Sequence, residues 1–305
     1  MGLIEQAKLV SRGRDWRGRS RTPRSALPWE EPTGPAQFRT GWARTRLASA
    51  VRLGLQRGVL KPLAWSQTST VVEGLDYLEP LSGPVIFVAN HASHLDAPLI
   101  LGSMPRRLVR KLAIGAAADY FFDAKWRALV TTLVFNAFPV ERFGANRVRS
   151  LAPILVERGW NLLLFPESSR STDGWMGSFR LGAAQLCCVR GLPAVPVALR
   201  GTFGAMPRGV NWPVPGRRKV VVRYGRPLTP ERDESARDFN VRLGAAVARL
   251  WAEEELGWYR AMRAEPQAAV AATRGPEGAS WRRVWESTRP LPKDRPEDAW
   301  PGRHG

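Results

Sequence analysis

The sequence predicts an α/β domain: a mostly parallel, mixed sheet flanked by helices, preceded by an amphipathic helix. Three observations lead there. Seven short apolar runs, each of four to eight residues, recur between residues 68 and 228, the length and texture of strands buried on both faces. Segments of helical periodicity separate most of them, and strand–helix alternation implies a sheet covered by helices. Polar residues cluster just past several of the runs, where open α/β sheets place their sites.

Taken in chain order, residues 1–35, "MGLIEQAKLVSRGRDWRGRSRTPRSALPWEEPTGP", are rich in Arg, Gly, Ser and Pro with little apolar periodicity, and read as a disordered basic arm. In residues 36–66, Trp42, Leu47, Val51, Leu55, Val59, Leu63 and Trp65 recur at three- to five-residue steps, with Arg39, Arg44, Arg46, Arg52, Arg57 and Lys61 between them. That is an amphipathic helix whose polar side carries cations and no acid. It suits a helix lying in a membrane interface, its cations on anionic headgroups; the plainer reading packs its apolar face on the core. Residues 67–260 form the main domain. Its strands read as "TVVEG" (70–74), "VIFVAN" (85–90), "RKLAIGA" (110–116), "AFPV" (137–140), "NLLLFPE" (161–167), "AVPVALRG" (194–201) and "KVVVRYG" (219–225), with helices over 97–103, 118–135, 145–158 and 178–190. A closing helix runs from 230 to 260, with Thr229 as its cap and Pro230 in its first turn. Residues 261–305, rich in Pro, Gly, Ala and charge, read as a flexible tail.

Lys plus Arg number 46 against 27 Asp plus Glu, a net charge of +19, and only six of the cations are lysines. Such a balance favours polyanions: nucleic acid, anionic lipid or phosphorylated substrates. Guanidinium suits forked phosphate contacts, although a GC-rich genome also inflates arginine. The arm "RGRDWRGRSR" fits nonspecific backbone binding, but the chain has no zinc knuckle and no RNA-recognition aromatic motif, so no specific nucleic-acid partner is expected. Cys187 and Cys188 are adjacent and cannot staple distant segments, which points to a reducing, intracellular setting. The N-terminus lacks the apolar region of a signal peptide, and Gln6 breaks the myristoylation pattern. The longest uncharged run, residues 128–140, falls short of the roughly 20 apolar residues that span a bilayer, so no transmembrane span is expected.

Two of the three histidines lie in "VIFVANHASHLDAPLIL", residues 85–101. His91 sits one residue past a strand and Asp96 opens the following helix. A carboxylate five residues on can hydrogen-bond the imidazole, fix its tautomer and support the imidazolium once the ring has taken a proton. That describes a general base with an orienting acid, acting on a hydroxyl brought by a substrate. Asp96 as a helix N-cap is the plainer alternative, and His94 reads as a satisfied loop histidine. Catalytic zinc needs three protein ligands and an open position; the remaining histidine is His304, near the terminus, and the cysteines follow a different helix, so no metal is expected.

"NHASHLD" contains His-x4-Asp, and with three later blocks it resembles the glycerolipid acyltransferase family, typified by 1-acylglycerol-3-phosphate acyltransferases. "FPVERFG" (138–144) is similar to the second block, "FPESSRS" (165–171) to the third, usually Phe-Pro-Glu-Gly-Thr-Arg-Ser, and "AVPVALRG" (194–201) to the fourth. The resemblance covers about residues 68–225. It implies His91 and Asp96 as the catalytic pair, with Arg142, Glu167, Ser168, Ser169 and Arg170 binding substrate. Ser168 and Ser169 depart from the family's Gly-Thr, and Ser168 puts in doubt a backbone conformation that glycine allows. "AAADYFFDAKW" (116–126) resembles a stretch beside the family's substrate channel, although core packing of Tyr120, Phe121 and Phe122 is the plainer reading.

What the resemblance implies is transfer of a fatty acyl group from acyl-CoA or acyl carrier protein to the hydroxyl of a lysophospholipid, with 1-acylglycerol-3-phosphate the expected acceptor, in phospholipid biosynthesis. No cofactor is expected to be bound. The expected location is peripheral, on the cytoplasmic side of an anionic cell membrane. The alternatives are the same chemistry on glycerol 3-phosphate or a glycolipid, a lipid-binding module without catalysis, and a basic nucleic-acid-binding protein.

Overall fold

The computed structural model describes residues 40–121, 125–140 and 151–291. Ahead of the sheet, a 3-10 turn (Gly41–Arg44), helix α1 (Arg46–Leu55), a π turn (Gln56–Leu60) and helix α2 (Lys61–Gln67) follow one another. The domain then runs β1 (Ser69–Glu73), β2 (Ile86–Ala89), α3 (Asp96–Ser103), α4 (Arg106–Val109), β3 (Leu112–Ala117), α5 (Ala118–Phe121), α6 (Lys125–Phe135), β4 (Ala137–Val140), α7 (Leu151–Glu157), β5 (Asn161–Leu164), α8 (Gly182–Arg190), β6 (Ala194–Arg200), α9 (Thr202–Ala205), β7 (Lys219–Tyr224) and α10 (Ala236–Leu256). Three more helices close the described chain: α11 (Trp258–Arg263), α12 (Pro266–Thr273) and α13 (Ser280–Thr288). The basic arm over 1–35 lies outside the described residues.

All seven strands join one sheet in the order β1-β7-β6-β2-β5-β3-β4. Every pairing is parallel except β6 with β7. The central strands are buried on both faces, with β2 and β6 wholly inside, which is why they read as unbroken apolar runs. Alternation still sorts their side chains. Phe87, Ala89, Val195 and Val197 pack with α3 on one face, while Ile86, Val88 and Ala194 pack with α8 and α10 on the other. Proline in a central strand removes a ladder donor; Pro196 is accommodated because the pairing to β7 begins one residue later, at Val197.

Charge anchors β7 to α10. Arg223, 3% exposed, meets Glu73 at 2.7 Å, Glu253 at 3.3 Å and Glu254 at 3.2 Å, and Lys219 meets Glu254 at 2.7 Å. Arg200 bridges from β6 to Glu255, its guanidinium 3.5 Å from the centre of the Trp251 ring.

Three expectations are corrected. Helix α10 starts six residues later than Pro230, because Ser235 Oγ caps it by accepting the Asp238 N–H while donating to the Asp238 carboxylate. Residues 261–291 are not a flexible tail: α12 presents small alanines for close packing on α10, and Ala269 is buried against Val247 and Trp251. In the N-terminal segment, Arg52 belongs to the interior rather than to the cationic outer side. Its guanidinium donates twice to the Ala43 carbonyl at 2.9 Å, and Gln56 donates to the Val134 carbonyl at 2.7 Å. Leu47, Val51, Val59 and Leu63 point outward, and Trp126, Leu129 and Val130 do so on α6, which packs beside α1. Among the described residues no helix is long and apolar enough to cross a membrane.

Replacing Arg223 with alanine removes a buried guanidinium from Glu73, Glu253 and Glu254, the last two nearly inaccessible to water. Removing one partner of a buried ion pair costs roughly 3–5 kcal/mol, and urea unfolding of Arg223→Ala is expected to show a loss of that size; a loss near that of a surface pair would refute the anchoring role.

Candidate active site

The turn after β2 is held from several sides. Asn90, assigned no role in the sequence reading, clasps the neighbouring strand: its Nδ2 donates to the Leu199 carbonyl at 3.0 Å and its Oδ1 accepts the Leu199 N–H at 2.7 Å. Asp96, wholly buried at the start of α3, reaches backward across the turn. Its Oδ2 accepts the Ala92 N–H at 2.7 Å and the Ser93 N–H at 2.8 Å, and lies 2.8 Å from His91 Nδ1. Asp96 therefore does not cap the helix that follows it. A carboxylate can only accept, so Nδ1 carries the proton and Nε2 keeps its lone pair. The His91 ring stacks on Phe165, centroids 4.1 Å apart, with 21% of its side chain exposed. Ser93 Oγ fastens the turn to the Met206 carbonyl at 2.8 Å.

The segment after β5 stands beside this turn. Glu167 is engaged by main chain: its Oε1 accepts the His91 N–H and its Oε2 the Gly177 N–H, both at 2.7 Å. Burial pushes its pKa up to about 8, against the downward pull of those two amides. Ser168 stands at φ +63°, so the left-handed backbone that glycine adopts freely survives the substitution, at a cost of roughly 1–2 kcal/mol.

His91, His94, Ser168, Ser169 and Arg170 line one cavity of about 790 Å³, a size typical of small-molecule sites. It passes over the ends of β3, β4 and β5, walled by Ile114, Phe121, Phe135, Phe138, Leu164 and Leu186. Phe121 thus both lines the cavity and packs on Ala116 and Ala137, while the side chain of Tyr120 and all of Phe122 lie outside the described residues. Arg142 lies outside them too. Arg180, Arg190 and Arg208, unmarked by any motif, join Arg170 in the lining. Arg190 pairs with Glu157 at 2.6 Å. Burial first, then the charges of Arg170 and His91, push the His94 pKa down to about 4, so His94 is neutral at physiological pH and cannot supply a cation.

A polarised imidazole at one end of an apolar, arginine-rimmed cavity agrees with what comparison with known proteins finds. Residues 69–200 match the family model "Acyltransferase". That stretch is under half of the chain, and the relatives it resembles are acyltransferases. A chloroplastic 1-acyl-sn-glycerol-3-phosphate acyltransferase of Brassica napus is 30% identical over 46% of this chain and 40% of its own length. A 1-acyl-sn-glycerol-3-phosphate acyltransferase of Chlamydomonas reinhardtii is 27% identical over 56% of this chain and 52% of its own. The chain thus spans about half or less of the curated relatives it matches. The crystal structure of the 1-acyl-sn-glycerophosphate acyltransferase PlsC from Thermotoga maritima superposes with a TM-score of 0.51 at 25% identity, covering 69% of this chain and 85% of that one. Glu167, expected from its block to bind substrate, presents each of its oxygens to a main-chain amide.

The Glu167 shift carries a pH signature. Its folded pKa of about 8 lies above the ordinary carboxyl value of 4.5, so the native state holds the extra proton between those values. Its contribution to stability is complete below about pH 4.5 and is lost as the pH rises through about 8. Glu167→Gln is expected to flatten that decline in urea midpoints measured across the interval; an unchanged slope counts against a raised Glu167 pKa.

Proposed function

We propose that the protein is an O-acyltransferase that moves a fatty acyl group from an acyl thioester, acyl-CoA or acyl carrier protein, to the hydroxyl of a lysophospholipid, with 1-acylglycerol-3-phosphate as the acceptor. The observation that carries this reading is the His91–Asp96 pair, 2.8 Å apart, at the edge of a large apolar cavity. Nε2 of His91 removes the acceptor's hydroxyl proton as the oxygen attacks the thioester carbonyl, and Asp96 stabilises the imidazolium that forms. The thiol leaves with a proton returned by the ring. Arg170 binds the acceptor phosphate by forked hydrogen bonds, with Ser168 and Ser169 beside it, and Arg142 is assigned the same task by its block. The apolar walls take the acyl chain, and fixing both substrates against one imidazole supplies the positioning part of the rate enhancement.

The outward apolar face of α1, the π turn and α2, together with that of α6, is the surface by which the enzyme lies on an anionic membrane. A helix that buries arginine and glutamine while displaying leucine and valine is built for an apolar neighbour outside the domain. A net charge of +19 favours anionic headgroups. In this reading the protein is peripheral and works on the cytoplasmic side in phospholipid biosynthesis.

Incubation of the purified protein with acyl-CoA or acyl carrier protein and a panel of lysophospholipids, glycerol 3-phosphate and glycolipid acceptors tests the reaction. His91→Ala is expected to lower turnover by roughly 100- to 10,000-fold with an unchanged circular dichroism spectrum; retained turnover removes the general-base assignment. The doubly substituted L47E/V51E protein is expected to lose co-sedimentation with anionic vesicles while remaining folded. Undiminished sedimentation would rule out this face as the membrane contact.

A further inference from the structure

The main chain of His91 is held on both sides by the segment that follows β5. Its N–H donates to Glu167, and its carbonyl accepts the Ser171 N–H at 2.8 Å. From Ser171 the bonds lead away from the cavity. Ser171 Oγ donates to Asp173 Oδ1 at 3.1 Å and accepts the Gly174 N–H at 2.8 Å. The segment 171–177, whose Trp175 and Met176 pack beside Ala198 of the sheet, is also fastened to the last helix. Arg283 Nε donates to Asp173 Oδ2 at 2.7 Å, Ser287 Oγ donates to the Asp173 carbonyl at 2.5 Å, and Trp175 Nε1 donates to the Arg283 carbonyl at 2.9 Å. Gly174, at φ +86°, is required at this seam, because a Cβ there would lie 2.6 Å from Ser287 Oγ.

We infer that Arg283 and Ser287, on α13, are positioning residues for the turn that carries His91, acting through Asp173 and the 171–177 segment. This rests on the acyl-transfer reading only in so far as it is measured by turnover. Both residues lie well past residue 200, the end of the family match. Arg283 is not a second phosphate ligand: its Nη1 donates to the Pro276 carbonyl and its Nη2 to the Arg274 carbonyl, at 2.8 and 2.7 Å. With Nε on Asp173, the whole fork is committed to protein. Nor is Asp173 a proton carrier. Burial pushes its carboxyl up, but the bonds from Arg283, Trp175 and Ser171 outweigh burial and leave it below its ordinary range. What remains for the pair is geometry. A displacement of about 1 Å in a reacting group costs on the order of 100-fold in rate, so a brace three hydrogen bonds from the His91 carbonyl acts on turnover more than on binding.

The test uses the full chain labelled with ¹⁵N-histidine. Only three histidines exist, His91, His94 and His304, and single substitutions assign their ring signals. Arg283→Ala and Asp173→Asn are each expected to shift the His91 ring resonances and to lower kcat about tenfold or more, leaving KM for donor and acceptor within about twofold. Arg283→Lys, which keeps a cation at Asp173, is expected to restore most of the kcat. A folded Arg283→Ala protein with unmoved His91 signals and wild-type kcat overturns the proposal. If Arg283→Ala fails to fold, Asp173→Asn and Ser287→Ala are judged on the same two readouts. If the wild-type protein acylates no acceptor, the acyl-transfer reading falls, and the His91 resonances alone decide the brace.

Discussion

One oxygen, Oδ2 of Asp96, accepts from the His91 ring and from two successive main-chain amides, and the site takes its shape from that convergence. A carboxylate with no solvent access is tolerable only when its charge is met by donors, and here the donors are the turn itself. The same contact that makes burial of the anion possible bends residues 91–93 around it and fixes which imidazole nitrogen is left basic. Backbone shape and proton chemistry are therefore not separable at this position. The neighbouring supports, the Asn90 clasp and the Glu167 brace, hold the two ends of the turn that this oxygen folds.

Among the described residues, arginines do different kinds of work. Arg170, Arg180, Arg190 and Arg208 border the cavity. Others are stitches. Arg52 closes on the Ala43 carbonyl, Arg107 on the carbonyls of Leu78, Glu79 and Leu81, and Arg283 on those of Arg274 and Pro276. A planar fork with five donors suits the satisfaction of several stray carbonyls at once, which an ammonium does less well. Net charge alone therefore overstates how much of the arginine serves an external polyanion.

The sheet was legible because parallel strands buried on both faces leave continuous apolar runs, and each of the seven runs has its strand. The pairing of His91 with Asp96 was legible because it is local, spanning five residues across a strand-to-helix turn. What stayed hidden depends on distant backbone. Main-chain amides leave no mark in a sequence, so nothing separates a glutamate that braces them from one that meets a ligand. The Asp173–Arg283 contact joins positions 110 residues apart, and α13 looks like a charged tail until its partner is known. Alanine-rich α12 was misread for the opposite reason: small side chains suggest little core, yet they are what lets two helices approach closely. Arg142 belongs to a recognisable block but lies outside the described residues.

The inverted burial of the N-terminal helical segment has a practical corollary. With Leu47 77% exposed and Arg52 only 3% exposed, bulk water is a poor medium for that ridge, and burying the apolar faces of two copies against each other releases free energy roughly in proportion to the area hidden. Raising the protein concentration in plain buffer thus favours clumping, whereas detergent micelles give each molecule a separate oily surface on which to remain a monomer.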